Sequence, residues 1–348
     1  MPGSTKRSLG HDASKLGRRA AKRCNLVAVP RSFCLVALVM MIAGATLVAQ
    51  KVARTHEGQP DLQGLWLNNT ATPLERPSEF ANRTTVTDAE ARAYEQKYQL
   101  DRTVALTRDT ADFELDVAGD LDTYEPGRLL PGNRTAIITD PSDGRVPALT
   151  PAAQARLKAQ ADKNNGHYAE GPENFTFPER CIQVANTSSP PMMPAFYNNH
   201  VQIVQTRDYV MLVSEMIHDV RIVALDGRAH LPSGISQWKG HSVGRWEKDM
   251  LVVDTTNFND KTTFRGSSQE LHVVERFSLS DPKTLRYQFT VDDPASFAKP
   301  WSGESLMTRS ADQMFEYACH EGNLSLPFTM RGRRYMERQE GMKKSPGE

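Results

Sequence analysis

The sequence predicts a mainly β protein: an antiparallel meander forming a barrel or a sandwich, preceded by a mixed N-terminal region with short helices. Three observations predict it. Beyond about Val201 the chain runs in short β-branched and aromatic segments. Short polar connections such as Arg207-Asp208, Asp226-Gly227-Arg228, Glu247-Lys248-Asp249 and Asp281-Pro282-Lys283 divide those segments at hairpin spacing. Upstream, two stretches carry helix-start signals.

Taken in order, residues 1–49 read as an export signal. Lys6, Arg7, Lys15, Arg18, Arg19, Lys22, Arg23 and Arg31 precede the uncharged run from Cys34 to Ala45, and Ala43 and Ala45 offer a small-residue cleavage site. Cleavage after Ala49 is the alternative. The apolar run is short for a membrane span. Residues 50–165 form the N-terminal region that packs on the β domain. In it, Thr87-Asp88-Ala89-Glu90 is a capping box opening a helix to about Leu100, and Thr150-Pro151 starts a second helix to about Asp162. Leu65–Asn68 and Thr135–Thr139 are short strand candidates. Residues 166–335 are the β domain, with strands expected at Val201–Thr206, Tyr209–Met216, Val220–Leu225, Met250–Thr256, Leu271–Ser278, Leu285–Val291 and Met314–Cys319. Residues 336–348 read as a disordered tail.

Composition narrows the function classes. The 42 Lys and Arg balance 42 Asp and Glu, but residues 1–49 hold eight of the former and one of the latter, leaving 34 basic against 41 acidic residues in the mature protein. An acidic product argues against nucleic acid or anionic membrane surfaces as partners. Of four cysteines, Cys181 and Cys319 remain after cleavage. In an oxidising compartment they are expected to pair, closing a loop for ~4 kcal/mol on the chain-entropy treatment; buried free thiols and a catalytic thiol are the alternatives.

Several motifs carry a resemblance: Pro60-Asp61-Leu62-Gln63-Gly64-Leu65-Trp66, Glu215-Met216-Ile217-His218-Asp219-Val220-Arg221, Gly244-Arg245-Trp246-Glu247, Val253-Asp254-Thr255-Thr256-Asn257-Phe258 and Ala318-Cys319-His320-Glu321-Gly322-Asn323. They resemble a widespread family of exported bacterial proteins, over nearly the whole mature chain. The resemblance implies a family and no activity. Gly64-x-Trp66 ahead of a meander also resembles the lipocalin and calycin barrels, which implies a calycin-like barrel whose tryptophan closes one end around an apolar ligand.

The densest chemistry lies in Glu215 to Arg221, where His218 beside Asp219 suits general acid–base work near neutral pH; a hydrogen-bonded hairpin corner explains the same residues. His320 and Glu321 form a second group at the last expected strand end, with turn chemistry beside a disulfide as its plainer reading. If the two groups meet at one rim, His218, Asp219, His320 and Glu321 form an acid–base set. A metal held by His218 and His320 with a carboxylate is the alternative; no other cofactor is implied. Tyr197, Asn198 and Asn199 offer amide and aromatic contacts to a substrate hydroxyl or carbonyl, and Arg221, Trp238 and Arg265 are further substrate-binding candidates. Each also has a structural reading, in turns, core or surface loop. His230 follows the Asp226-Gly227-Arg228 turn, and His241 adds a third imidazole. Gly-x-Ser-x-Gly, a P-loop and a dinucleotide fingerprint are absent from the sequence. The expectation is therefore a periplasmic or secreted enzyme of lyase, hydratase or isomerase type acting on a small, partly apolar molecule. The alternative is a non-catalytic carrier of an apolar ligand.

Overall fold

A computed structural model of the chain describes residues 52–108, 127–183, 188–194, 197–261 and 264–344. The expected export signal, residues 1–49, lies outside them.

The strands are β1 (Gly64–Leu67), β2 (Ile138–Asp140), β3 (His200–Gln205), β4 (Tyr209–Ser214), β5 (Val220–Ala224), β6 (His241–Glu247), β7 (Met250–Thr256), β8 (His272–Asp281), β9 (Thr284–Asp292) and β10 (Trp301–Arg309). The helices are α1 (Asp88–Arg108), α2 (Pro151–Asn164) and α3 (Ser325–Lys344). The sheet runs β1-β3-β4-β5-β6-β7-β8-β9-β10 and closes on itself through β1 and β10, at Trp66↔Arg309 and Leu67↔Thr308. The result is a closed nine-stranded barrel, and β2 occupies the other part of β10's free edge, opposite Ser302 and Gly303. Closure leaves the sheet few unpaired backbone groups.

Alternation selects the interior. Leu251, Val253 and Thr255 of β7 face Phe277, Glu275 and Val273 of β8, which in turn face Tyr287, Phe289 and Val291 of β9. Trp66, Trp301, Tyr287, Phe277 and Phe289 are fully buried. Burial on this scale is worth roughly 1.5–3 kcal/mol per large side chain. Aromatic rings thus fill much of the barrel interior. Gly303 is small for a packing reason: a Cβ there would lie 2.4 Å from the Phe289 ring. Trp66 donates its indole N–H to the Leu62 carbonyl (2.9 Å), and the Arg309 guanidinium lies 4.3 Å from its ring centroid.

Both helix starts follow the sequence. Thr87 and Glu90 exchange hydrogen bonds as a capping box (2.9 and 3.3 Å), and the Thr150 hydroxyl accepts the Ala153 N–H (3.1 Å). Cys181 and Cys319 form a disulfide with Cα atoms 5.8 Å apart.

Four features depart from expectation. The barrel is mixed, because β5 and β6 run parallel and meet only at Ala224↔Val243. Parallel neighbours need a crossover, and residues 225–240 supply it. β6 and β10 went unpredicted. Their inward residues include Ser242, Gly244, Gly303 and Ser305, which mute the apolar alternation. Met314–Cys319 is not a strand; the disulfide and turns hold that segment instead. Residues 325–344, including part of the expected disordered tail, form α3, which contacts Glu170 through Arg333 (3.1 Å).

Candidate active site

The crossover creates the site. With a single residue pair joining β5 to β6, their N-terminal halves splay, and a cleft of about 640 Å³ opens between Val220, Arg221, Ile222 and Ala224 on one side and Ser236 through Ser242 on the other. Arg221 and Ser242 belong to the barrel interior, whereas Ile222 is 61% exposed, so the cleft passes through the barrel wall.

Several contacts hold the crossover in place. The Asn257 side-chain amide donates to the carbonyls of Leu231, Pro232 and Ile235 (3.1, 3.0 and 2.9 Å). Gly240, at φ +69°, lies so close to β7 that a Cβ would sit 2.6 Å from the Thr256 carbonyl oxygen. At the start of the crossover, Asp226 and Arg228 form the expected turn, and Arg228 also reaches the Tyr209 hydroxyl (3.0 Å).

Register then assembles a histidine chain on the outer wall. Asp254 pairs with Val243 and Val274, and an alternation of two puts His241 and His272 on the same outer face, diagonal to it. His230 descends from the crossover onto the same group. Asp254 Oδ1 lies 3.0 Å from Nε2 of His230 and 3.0 Å from Nε2 of His272, and Nδ1 of His230 lies 3.2 Å from Nδ1 of His241. The network assigns the protons: His230 and His272 each donate Nε2–H to Asp254, and His241 donates Nδ1–H to His230. Nε2 of His241, a cleft residue, is left with its lone pair and has no hydrogen-bond partner among the described residues.

Electrostatics follow from the contacts. The His272 hydrogen bond, with His230 adding to it, holds the Asp254 carboxyl below its usual range despite burial. Asp254 in turn raises His272. Burial lowers His241, and His230 and Arg228 push it the same way, so its neutral form is favoured.

Behind this chain lies a buried polar group. Arg221, 4% exposed in its side chain, donates both terminal nitrogens to the fully buried Glu275 (2.7 and 2.9 Å), which also accepts the Tyr287 hydroxyl (2.8 Å). Lys239 lies 2.6 Å from Asp219 and donates to Ser188 (3.0 Å).

The Glu215-to-Arg221 motif is therefore dispersed. A one-turn 3-10 helix at Met216–His218, with Ile217 and His218 at φ 60° and 44°, breaks the alternation. Glu215 bonds His200 Nδ1 (2.9 Å), His218 donates to the Tyr317 carbonyl (3.1 Å), Asp219 pairs with Lys239, and Arg221 pairs with Glu275. His218 thus reaches the segment before His320, but His320 and Glu321 are exposed and make no side-chain hydrogen bond or ion pair among the described residues. No group of three or more His, Cys, Asp or Glu among the described residues has a geometry that would hold a metal ion.

Of the substrate-binding candidates, Arg221 and Trp238 line the cleft. Trp238 packs edge-on against Phe177 (5.2 Å). Asn198 and Asn199 line a separate groove on the outer wall, beside His200 and Glu215. Tyr197 is exposed, and Arg265 borders a smaller cavity near Tyr94 and Tyr98, 3.4 Å from Glu75. His230 and His241 stand out in the sequence individually, whereas Asp254, His272 and Lys239 do not. The one signal for Asp254 was a carboxylate amid the apolar Leu251-Val252-Val253.

No protein-family model, curated protein or solved structure matches this chain.

Proposed function

We propose that the chain is an exported enzyme that uses the cleft between β5 and β6 for acid–base chemistry of lyase, hydratase or isomerase type on a small, partly apolar molecule. The observation that carries this is the hydrogen-bonded series Asp254–His230–His241 ending at a cleft residue whose Nε2 is unengaged. A substrate proton taken by His241 Nε2 is matched by transfer of Nδ1–H to His230, so the positive charge comes to rest beside the Asp254 carboxylate. Trp238, Tyr209 and Ile222 supply an apolar wall.

Export is supported by the basic and apolar order of residues 1–49 and by the Cys181–Cys319 disulfide. The test is depletion profiling of a metabolite extract by mass spectrometry, with natively purified mature protein. A compound converted to an isomer, or to a product differing by water or a neutral fragment, is expected, with His241→Gln slowing conversion about 10²- to 10⁴-fold. Conversion at the wild-type rate by both His241→Gln and Asp254→Asn would sink the mechanism. A co-purified and unchanged apolar compound would instead identify a carrier.

A further inference from the structure

Lys239 is a largely buried amine on the wall of the cleft. Its side chain is 13% exposed and lines the cleft next to Trp238, and its Nζ lies 2.6 Å from Asp219 Oδ2, 3.0 Å from Ser188 Oγ and 3.4 Å from Ser189 Oγ. The Ser189 hydroxyl is in turn held by Gln183 (2.6 Å). Apolar and aromatic side chains share the cleft: Val220 and Ile222 are 48% and 61% exposed, and Tyr209 is 40% exposed. A cation beside so much uncovered apolar surface fits a ligand with a carbonyl at one end and an aromatic or aliphatic body at the other.

We propose that Lys239 is a covalent attachment point, condensing with the carbonyl of a small aromatic or aliphatic aldehyde or ketone; this rests on the cleft being the active site. Asp219 takes one proton from the ammonium. The freed Nζ lone pair attacks the carbonyl carbon, and a second amine proton passes to the carbonyl oxygen, giving a carbinolamine. Asp219 returns its proton to that hydroxyl, which leaves as water as the nitrogen lone pair forms the C=N bond. The product iminium keeps one proton on nitrogen and retains Asp219 as its counter-ion, so charge and atoms balance. Burial lowers the affinity of Lys239 for its proton and the neighbouring Arg221 does so too, while Asp219 opposes them, and the net direction is downward. Such a lysine offers more free amine at neutral pH than an exposed one.

The test is reductive trapping of the full mature protein with benzaldehyde and sodium cyanoborohydride at neutral pH, followed by peptide mapping. The expected result is a benzyl group on Lys239 severalfold faster than on Lys97 and Lys158, whose side chains are 63% and 75% exposed. Lys239→Arg, which keeps the pair with Asp219, should lose that label while melting like the wild type. Trp238→Ala should slow labelling by benzaldehyde but not by formaldehyde, which has no ring to seat. Labelling of Lys239 no faster than of the two exposed lysines overturns the proposal. His241→Gln separates the two readings: the label should persist while turnover falls. Loss of turnover without any Lys239 label in the wild type withdraws only the covalent step.

Discussion

Glu275→Gln is the sharpest probe of the barrel interior. Glu275 is fully buried, receives two guanidinium nitrogens from Arg221 at 2.7 and 2.9 Å, and accepts the Tyr287 hydroxyl at 2.8 Å. The glutamine keeps the shape and removes the charge, leaving Arg221 buried without a counter-ion, which costs about 3–5 kcal/mol. One hydrogen bond to the guanidinium survives through the amide oxygen, so the lower half of that range is expected. For a domain of this size each kcal/mol moves the midpoint by roughly 2–4 °C, so the variant should melt about 6–16 °C below the wild type. Arg221→Met with Glu275→Leu removes both charges and should recover most of the loss, because an apolar pair of similar volume avoids desolvation. Tyr287 keeps the Met192 N–H (2.7 Å) but loses its acceptor, so about 1 kcal/mol stays missing. Urea unfolding of the wild type, Arg221→Met, Glu275→Leu and the double variant gives the coupling energy directly. A Glu275→Gln cost below about 1 kcal/mol, or a double variant as unstable as the single, would refute the picture of an isolated ion pair in a packed barrel.

Four further outcomes follow from the geometry. Reduction of the disulfide, or Cys181→Ala with Cys319→Ala, frees a 138-residue loop and should cost about 4–5 kcal/mol, read as a lower denaturation midpoint; an unchanged midpoint would contradict it. Gly303→Ala forces a methyl against the Phe289 ring and should cost about 1–3 kcal/mol by thermal melting. Because His241 is lowered and must be neutral to act, the acid limb of kcat/KM should fall below the ordinary histidine range of about 6.5; a limb at or above it would argue for another base. His272 is raised by Asp254, so its contribution to stability is complete below the unfolded value of about 6.5 and is lost as pH rises through the folded value. Asp254→Asn should erase that loss between neutral and mildly alkaline pH, measured as the melting temperature across pH.

Much of the local structure was legible from residue types. Thr87 with Glu90, and Thr150 before Pro151, announce their helices through short-range hydrogen bonds that any fold would preserve. The runs at β3, β4, β5, β7, β8 and β9 alternate strongly because one face of each is sealed in the barrel. β6 and β10 stayed hidden because glycine and serine fill inward positions beside large rings, so small volume stands in for apolarity there. The candidate site was legible only in pieces. His230 and His241 stood out as single residues, but nothing local couples them to Asp254, which depends on the register of β6, β7 and β8. Glu215 to Arg221 read as one cluster, and the left-handed residues Ile217 and His218 send its members to four different partners.

What the sequence by itself determined is whatever depends on neighbours within a few residues: the alternating strands and the helix caps. Only the tertiary structure decided which carboxylate serves which histidine, that Arg221 is spent on Glu275, and that a cleft opens beside Lys239. The physical reason is that these depend on closing the barrel and on the crossover that makes β5 and β6 parallel. Both are set by packing summed over the whole sheet, which no short stretch of chain encodes.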